Sequence, residues 1–571
     1  MRAASLFGVF LVARIFILAG RNIPFSVLAP IAYVWQDLLF CLLFAVFESV
    51  FRRSRMMWLP YGAVVAYAAV NVPVARVLSS PLTWPMIRAA RGPLADSITY
   101  HLTPANLGCS ALVGAVGVLL PFALRRWGAR PGDASILAAA MVIAAGPTAV
   151  SRIETVGLER NFVLALVQTA LPRRPARPSD RDWRASPCDT PATEDLSQYR
   201  AAAAGRNVVL VALESAGARY LRPYGAAEDP MPNLTSLADH SILFENAYAV
   251  YPESIKGFFS VLCSRCPAFN TAPEDCGKLS CPSLARALSA GGYRTALFHS
   301  GRFMYLGMES ILENRGFQTL EDAGAIGGNF ESSFGVDEPS TVRRILSWID
   351  ALPRGQRFFV TYLPIAGHHP YAAPVSGPFP EDREIGRYRN ALHYGDAALG
   401  ALLNGIRSRG LDRKTLLVVY GDHAEAFGQH EGNAGHTLFL YEENVRVPFV
   451  LAMPGIQEGG LRVRRTASLI DTAPTILDLL GLAVPAGFQG HSLLQPGNRM
   501  ALFFTDYSLG FLGLRDGCWK YIYELDSRRS KLFDLCADSG ERNDLSAQFP
   551  RKAQAYSRIL QEWIAAQASP Q

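Results

Sequence analysis

The sequence predicts an α/β fold: a layered domain with a mostly parallel central sheet, preceded by a bundle of about five transmembrane helices. Three observations predict it. Apolar stretches long enough to span a bilayer crowd into the first 150 residues. From Arg206 onward, short β-branched runs alternate with helical segments. Nine of the ten histidines lie after residue 200, so metal and proton chemistry belongs to the second part. At 571 residues the chain exceeds what one hydrophobic core organises. Half its residues are hydrophobic, 18% are charged and the mean hydropathy is +0.13, too apolar for an ordinary soluble protein and too polar for a pure membrane bundle.

The apolar stretches run near residues 3–20, 25–47, 57–78, 106–124 and 134–150. A cleaved signal peptide is the rival for the first, but Arg14 interrupts it and further spans follow at once. Lys and Arg accumulate in cytoplasmic loops, and two loops are basic: Arg52, Arg53 and Arg55, then Arg125, Arg126 and Arg130. With five spans this places the amino terminus inside and everything after about Val150 outside, giving a multi-pass inner or plasma membrane protein with an extracytoplasmic second part. Arg14, Asp37 and Arg76 fall in or near spans, where helix pairing or snorkelling competes with a lipid-substrate channel. Residues 151–205 read as a connector, with an interfacial apolar piece from Asn161 to Leu171 and an Arg-, Pro- and Asp-rich stretch from Arg173 to Arg184 suited to anionic headgroups. No Walker-type loop or basic aromatic motif points to nucleic acid.

Beyond Arg206, NVVLVAL (Asn207–Leu213) reads as a buried parallel strand, and similar runs recur at Phe358–Leu363, Thr415–Tyr420 and Pro448–Met453. Each precedes polar or turn residues: Glu214, His368, Asp422, and Pro454 with Gly455. Ligands of open α/β sheets bind beyond the carboxyl ends of strands, so these distant residues are expected to converge. A carboxylate at the end of a buried strand is expensive unless it binds metal, caps a helix or makes a paired contact, which leaves Glu214 several roles. Asp422 and His423 follow a strand and a glycine, where loop solvation competes with metal binding.

RNVVLVALES, NAYAVYPESIKGFFS, GHHPY, VVYGDHAEAFGQHEGNAGHTLFLYEENVRVPFVLAMPG, SLIDTAPTILDLLG with FQGHSLL, and KLFDLCADSGERNDLSAQFP resemble, in order, the blocks of the sulfatase and alkaline phosphatase superfamily over about residues 206–550. The preceding spans extend the resemblance, more loosely, to lipoteichoic acid synthases and phosphoethanolamine transferases. The resemblance implies an alkaline-phosphatase-like sandwich with a small C-terminal subdomain: a transmembrane domain over 1–150, a connector over 151–205, a catalytic domain over 206–500 and its subdomain over 501–571. It also implies one divalent metal ion (manganese, zinc, magnesium or calcium) held by Glu214, Ser254, Asp422 and His423, a donor set that suits such an ion. Ser254 matches the nucleophile, although a serine before IKGFF also suits a helix N-cap. His368 matches the H-x-P-Y position and His436 the GH before LYEE, both as catalytic groups. His299 and His430 are substrate-contact candidates, as are Lys256 and Arg302, for which solvated surface charge is the competing role. His369 reads as structural.

One departure matters. A sulfatase carries its convertible Cys or Ser in C/S-x-P/A-x-R, whereas Ser254 is followed by Ile255, Lys256, Gly257 and Phe258. Without the proline and arginine, the resemblance favours an enzyme whose unmodified serine takes a phosphoryl group from a phosphate ester or phosphodiester of an envelope lipid or glycan. Its expected partners are a membrane lipid or lipid-linked donor and an envelope glycan or lipid acceptor. A sulfuric ester hydrolase is the first alternative, supported by Lys531 to Leu545, and a catalytically inactive binding or scaffold protein is the second. Cys263, Cys266, Cys276 and Cys281 cluster after Ser254 with spacing irregular for a zinc ribbon, and an oxidising compartment favours disulfides there and between Cys518 and Cys536. Their connectivity stays open, and Cys188 is left odd.

Overall fold

Long, mostly apolar stretches make the amino-terminal part helical: α1 (Arg2–Leu18), α2 (Leu28–Val50), α3 (Trp58–Leu78), two short helices α4 (Trp84–Ala89) and α5 (Ala95–Tyr100), α6 (Pro104–Arg126), α7 (Asp133–Arg152) and α8 (Phe162–Ala170). The computed structural model describes residues 1–23, 25–51, 55–90, 94–127, 132–171, 183–187, 194–330, 332–455 and 460–567. Arg52, Arg53, Arg130, Cys188 and Arg173 through Asp182 lie outside the described residues. Among the described residues, four helices are long and apolar enough to cross a membrane, Leu28–Val50, Arg55–Leu78, Pro104–Arg126 and Asp133–Arg152. The expected first span is the exception: α1 has 17 residues, about 26 Å of helix against a hydrocarbon core of about 30 Å.

Packing explains α1. Leu6, Val9, Phe10, Ala13 and Ile17 are buried against α2, α3 and α6. Arg14 on the same face pairs with Asp37 at 2.6 Å and also donates to the Leu158 carbonyl, while Asn161 donates to Asp37 at 2.8 Å. The charges between these helices are thus matched by helix pairing. Asn161 also caps α8, accepting from Val163 and Leu164.

The large sheet has nine strands: β1 (Asn207–Leu213), β2 (Ile242–Tyr248), β3 (Arg294–His299), β4 (Thr319–Glu321), β5 (Phe358–Leu363), β6 (Thr415–Gly421), β9 (Arg446–Val447), β10 (Phe449–Ala452) and β11 (Leu461–Ser468). Helix α9 (Pro232–Ala238) lies between β1 and β2, and two small strands, β7 (Ala426–Phe427) and β8 (Ala434–Gly435), pair with each other. The order is β11-β2-β10-β6-β1-β5-β3-β4, with β9 on β2. Pairs β6–β1, β1–β5, β5–β3, β3–β4 and β2–β11 are parallel. The run at Pro448–Met453, which reads in sequence like the parallel ones, forms β10 antiparallel to both β6 and β2. Alternation along β1 explains two apolar layers: Val208, Leu210 and Ala212 enter one core, Val209, Val211 and Leu213 the other.

The carboxyl-terminal unit is an antiparallel sheet of β12 (Ala501–Thr505), β13 (Phe511–Asp516), β14 (Trp519–Glu524) and β15 (Ser530–Asp534), covered by a helix over Pro550–Gln567 through Tyr556, Ile559, Leu560 and Trp563. Cys518 and Cys536 form a disulfide that joins the turn before β14 to the turn after β15. The expected disulfides after Ser254 are absent: Cys263, Cys266, Cys276 and Cys281 carry free thiols. Cys263, Cys276 and Cys281 enter the core of the large sheet, where Arg315 donates to the Cys281 sulfur at 3.0 Å, while Cys266 enters the core of the terminal unit.

Candidate active site

Strand register brings distant acids together. Leu213 at the end of β1 is paired with Gly421 at the end of β6, so the next residues, Glu214 and Asp422, leave the sheet side by side. Asp422 accepts from the amides of Ser215 at 2.9 Å and His423 at 2.7 Å, which orients its second oxygen toward Glu214. His299 ends β3 opposite Leu363 and donates through Nδ1 to the Leu363 carbonyl, 3.0 Å away. Three parallel strands therefore deliver chemistry to one edge.

Ser254 arrives from the other side, at the start of α10 (Ser254–Cys263). The helix cap is not Ser254 but Glu253, whose buried carboxylate accepts from the Ile255 and Lys256 amides at 2.8 and 3.1 Å. This leaves the serine hydroxyl for the site. Ser254 Oγ donates to Glu214 Oε2 at 3.2 Å and lies 3.3 Å from His423 Nε2. That nitrogen is 3.6 Å from both Glu214 Oε1 and Asp422 Oδ2.

The donor set fits a divalent cation. One ligand atom each from Glu214, Asp422 and His423 lies within 4.8 Å of the others, all three residues being buried. His423 Nδ1 sits 3.1 Å from the Ala424 carbonyl, so its proton belongs there and the Nε2 lone pair faces the two acids. Burial lowers the His423 pKa, which keeps that lone pair available. Burial and then the Asp422 charge push Glu214 well above the ordinary carboxylate range, the mark of two acids crowded without a counter-charge from the protein.

Behind this cluster lies a second one. His436 stacks on His423 with centroids 3.9 Å apart, and its Nδ1 binds Glu425 at 2.6 Å. Tyr371 donates to the other Glu425 oxygen at 2.6 Å. Burial opposes a charge on His436, but Glu425 outweighs it and holds the imidazolium above its usual range. His368 is the opposite case: burial first and the His436 charge second drop it to about 3, so it is neutral. It stacks on Phe334 at 3.7 Å. Phe334 also lines the cleft at Ser254, together with Glu214, Asp422, His299, Arg302 and Tyr305.

Two expected substrate contacts lie elsewhere. His430 is engaged by Glu443 at 2.6 Å and by the Glu541 carbonyl at 3.2 Å, stacked on Tyr441. Lys256 is neither a clamp at Ser254 nor solvated: its side chain is 3% exposed and pairs with Asp506 at 3.0 Å. Sequence reading passed over Glu425, Tyr371 and Asp506. Glu425 has a visible signal, two residues beyond His423 in GDHAEAFGQH, and Tyr371 is the tyrosine of the H-x-P-Y match at His368; Asp506 has none.

The sulfatase family matches residues 206–482, the segment that builds this edge, and the family described as "N-sulphoglucosamine sulphohydrolase, C-terminal" matches 436–566. Arylsulfatase K of Bos taurus is 30% identical over 225 residues, 35% of this chain and 41% of the relative, so the chain spans under half the length of that relative. The chain shares its fold with the lipoteichoic acid synthase LtaP from Listeria monocytogenes (TM-score 0.54, 20% identity, 64% of this chain, 94% of that one). It also shares it with an alkaline phosphatase superfamily protein from Vibrio parahaemolyticus (TM-score 0.51, 22% identity, 66% and 90%). These likenesses establish an alkaline-phosphatase-like α/β fold.

Proposed function

We propose that the chain is a membrane-anchored, metal-dependent hydrolase or transferase of phosphate esters or phosphodiesters in an envelope lipid or glycan, with Ser254 as nucleophile. The observation that carries this reading is the Ser254 hydroxyl set 3.2 and 3.3 Å from Glu214 and His423 and left free of helix capping by Glu253. Glu214, Ser254, Asp422 and His423 would hold one divalent ion, which when bound neutralises ester oxygens and lowers the pKa of a coordinated hydroxyl. Ser254 gives its proton to Glu214 Oε2 as Oγ bonds to phosphorus, and the ester bond to the leaving oxygen breaks. The His436 imidazolium, held charged by Glu425, supplies a proton to that oxygen; Arg302 and His299 line the cleft that receives the phosphoryl oxygens. Water or an acceptor alcohol then attacks phosphorus and gives its proton to His436, the Oγ–phosphorus bond breaks, and Ser254 takes its proton back from Glu214. Four apolar helices support a multi-pass inner or plasma membrane anchor, and the basic loops support an extracytoplasmic catalytic domain.

A second reading is a sulfatase, favoured by the arylsulfatase K likeness and by the sulphohydrolase match at 436–566. Mass spectrometry of the peptide containing Ser254, from protein incubated with manganese and envelope lipids, separates the two. A phosphoryl-linked adduct on unmodified serine is the expected result; formylglycine at 254 would replace the first reading by the second.

A further inference from the structure

Lys256 stands two residues after Ser254, where the sulfatase pattern carries its proline, and it is buried. A buried ammonium is costly unless matched. Asp506 matches it, with Oδ1 and Oδ2 at 3.0 and 3.2 Å from Nζ. The same carboxylate accepts from the Tyr251 hydroxyl at 2.8 Å and from the Asn270 amide. The Tyr251 ring lies under the ammonium, 4.6 Å away. Asp506 thus ties together the residues on both sides of Ser254 and the loop that follows α10. The fit is close: a Cβ at Gly257 would meet the Tyr251 carbonyl at 3.3 Å.

The turn that carries Asp506 is itself held by the membrane-side part of the chain. Thr83, between α3 and α4, donates to the Tyr507 carbonyl at 2.9 Å. Arg160 donates to the Ser508 hydroxyl at 2.6 Å and carbonyl at 3.2 Å, and Ser80 bonds the same hydroxyl. We propose that Asp506 is a positioning residue that holds the first turn of α10, and with it the Ser254 hydroxyl, on a turn anchored by residues 80–83 and Arg160. The inference rests on the reading of Ser254 as nucleophile. It makes docking of the sulfatase domain on its helical anchor a condition for full activity.

The test uses the full chain in detergent, with bis(p-nitrophenyl) phosphate and p-nitrophenyl sulfate as substrates in manganese. A misplacement of about 1 Å costs about 10²-fold in rate. Asp506→Asn keeps the shape and strands the Lys256 charge; kcat is expected to fall about 10²-fold with KM unchanged. Asp506→Glu recovers part of kcat. The double variant Lys256→Met with Asp506→Leu removes both charges, so its melting temperature returns toward wild type while kcat stays low. Hydrogen exchange of the metal-free protein is expected to speed up at the first-turn amides of α10 in both Asp506→Asn and the double variant. The inference is overturned if kcat follows melting temperature across the set, or if Asp506→Asn leaves kcat and α10 exchange at wild-type values. Should wild type turn over neither ester, the functional reading falls, and the exchange measurement alone decides whether Asp506 holds the turn.

Discussion

Replacing Glu214 by glutamine should make the metal-free protein more stable and the metal-loaded protein less so. Glu214 and Asp422 offer ligand oxygens within 4.8 Å of one another in a buried cluster whose third member, His423, is kept neutral by burial. Two unit charges at that separation repel by about 3 kcal/mol in an effective dielectric of about 20. That figure is a ceiling, because the Ser215 and His423 amides donate to Asp422 and the Ser215 hydroxyl donates to Glu214 at 2.9 Å. A gain on the order of 1 to 2 kcal/mol is expected for Glu214→Gln without metal.

The pH dependence carries the sign. Burial and then Asp422 raise the Glu214 carboxyl in the folded protein, so between the unfolded value of about 4.3 and the raised one the folded state holds a proton that the unfolded state has released. Stability of the metal-free wild type is therefore full at low pH and falls as pH climbs through that window, and glutamine removes this contribution. Thermal melts after EDTA treatment should show Glu214→Gln above wild type at pH 8 by more than at pH 5. Added manganese should raise the wild-type melt and leave the variant nearly unmoved. A metal-free variant that melts below wild type at pH 8, or an equal manganese shift in both proteins, would refute the crowded-acid account of the site.

Two further outcomes follow from the same geometry. Glu425→Gln removes the partner that holds His436 above its usual range, so the alkaline limb of the kcat profile should move to lower pH in hydrolysis of bis(p-nitrophenyl) phosphate. Reduction of the Cys518–Cys536 bridge, which spans 18 residues, should cost the carboxyl-terminal unit about 3 kcal/mol, read as a lower melting temperature in reductant that Cys518→Ser with Cys536→Ser reproduces.

The strands that could be read from sequence are those buried on both faces. β1, β5 and β6 are continuous apolar runs because helices cover both sides of a parallel sheet. β2, ILFENAY, hides behind a glutamate and an asparagine that stand partly exposed, and β3 opens on an exposed arginine. The direction of β10 could not be read, since an apolar run states burial and not polarity; it runs antiparallel after the β7–β8 excursion from β6. The length of α1 is a related case: Leu18 to Gly20 look apolar enough to continue it, but the helix ends at Leu18.

Partners, more than residue types, separate the site residues that were legible from those that were not. Glu214 and Asp422 announce themselves because both follow strand ends, and one register, Leu213 with Gly421, suffices to join them. His430 lies in the same block as His423 and His436, yet Glu443 and the Glu541 carbonyl, the latter 111 residues away, engage it. Lys256 looks like a surface charge until Asp506, 250 residues on, is placed against it. A histidine or lysine carries no mark of which carboxylate will claim it, whereas a carboxylate at the end of a buried strand has already been confined by the sheet. That asymmetry explains why Glu214 and Asp422 can be brought together from one dimension while the partners of His430 and Lys256 need three.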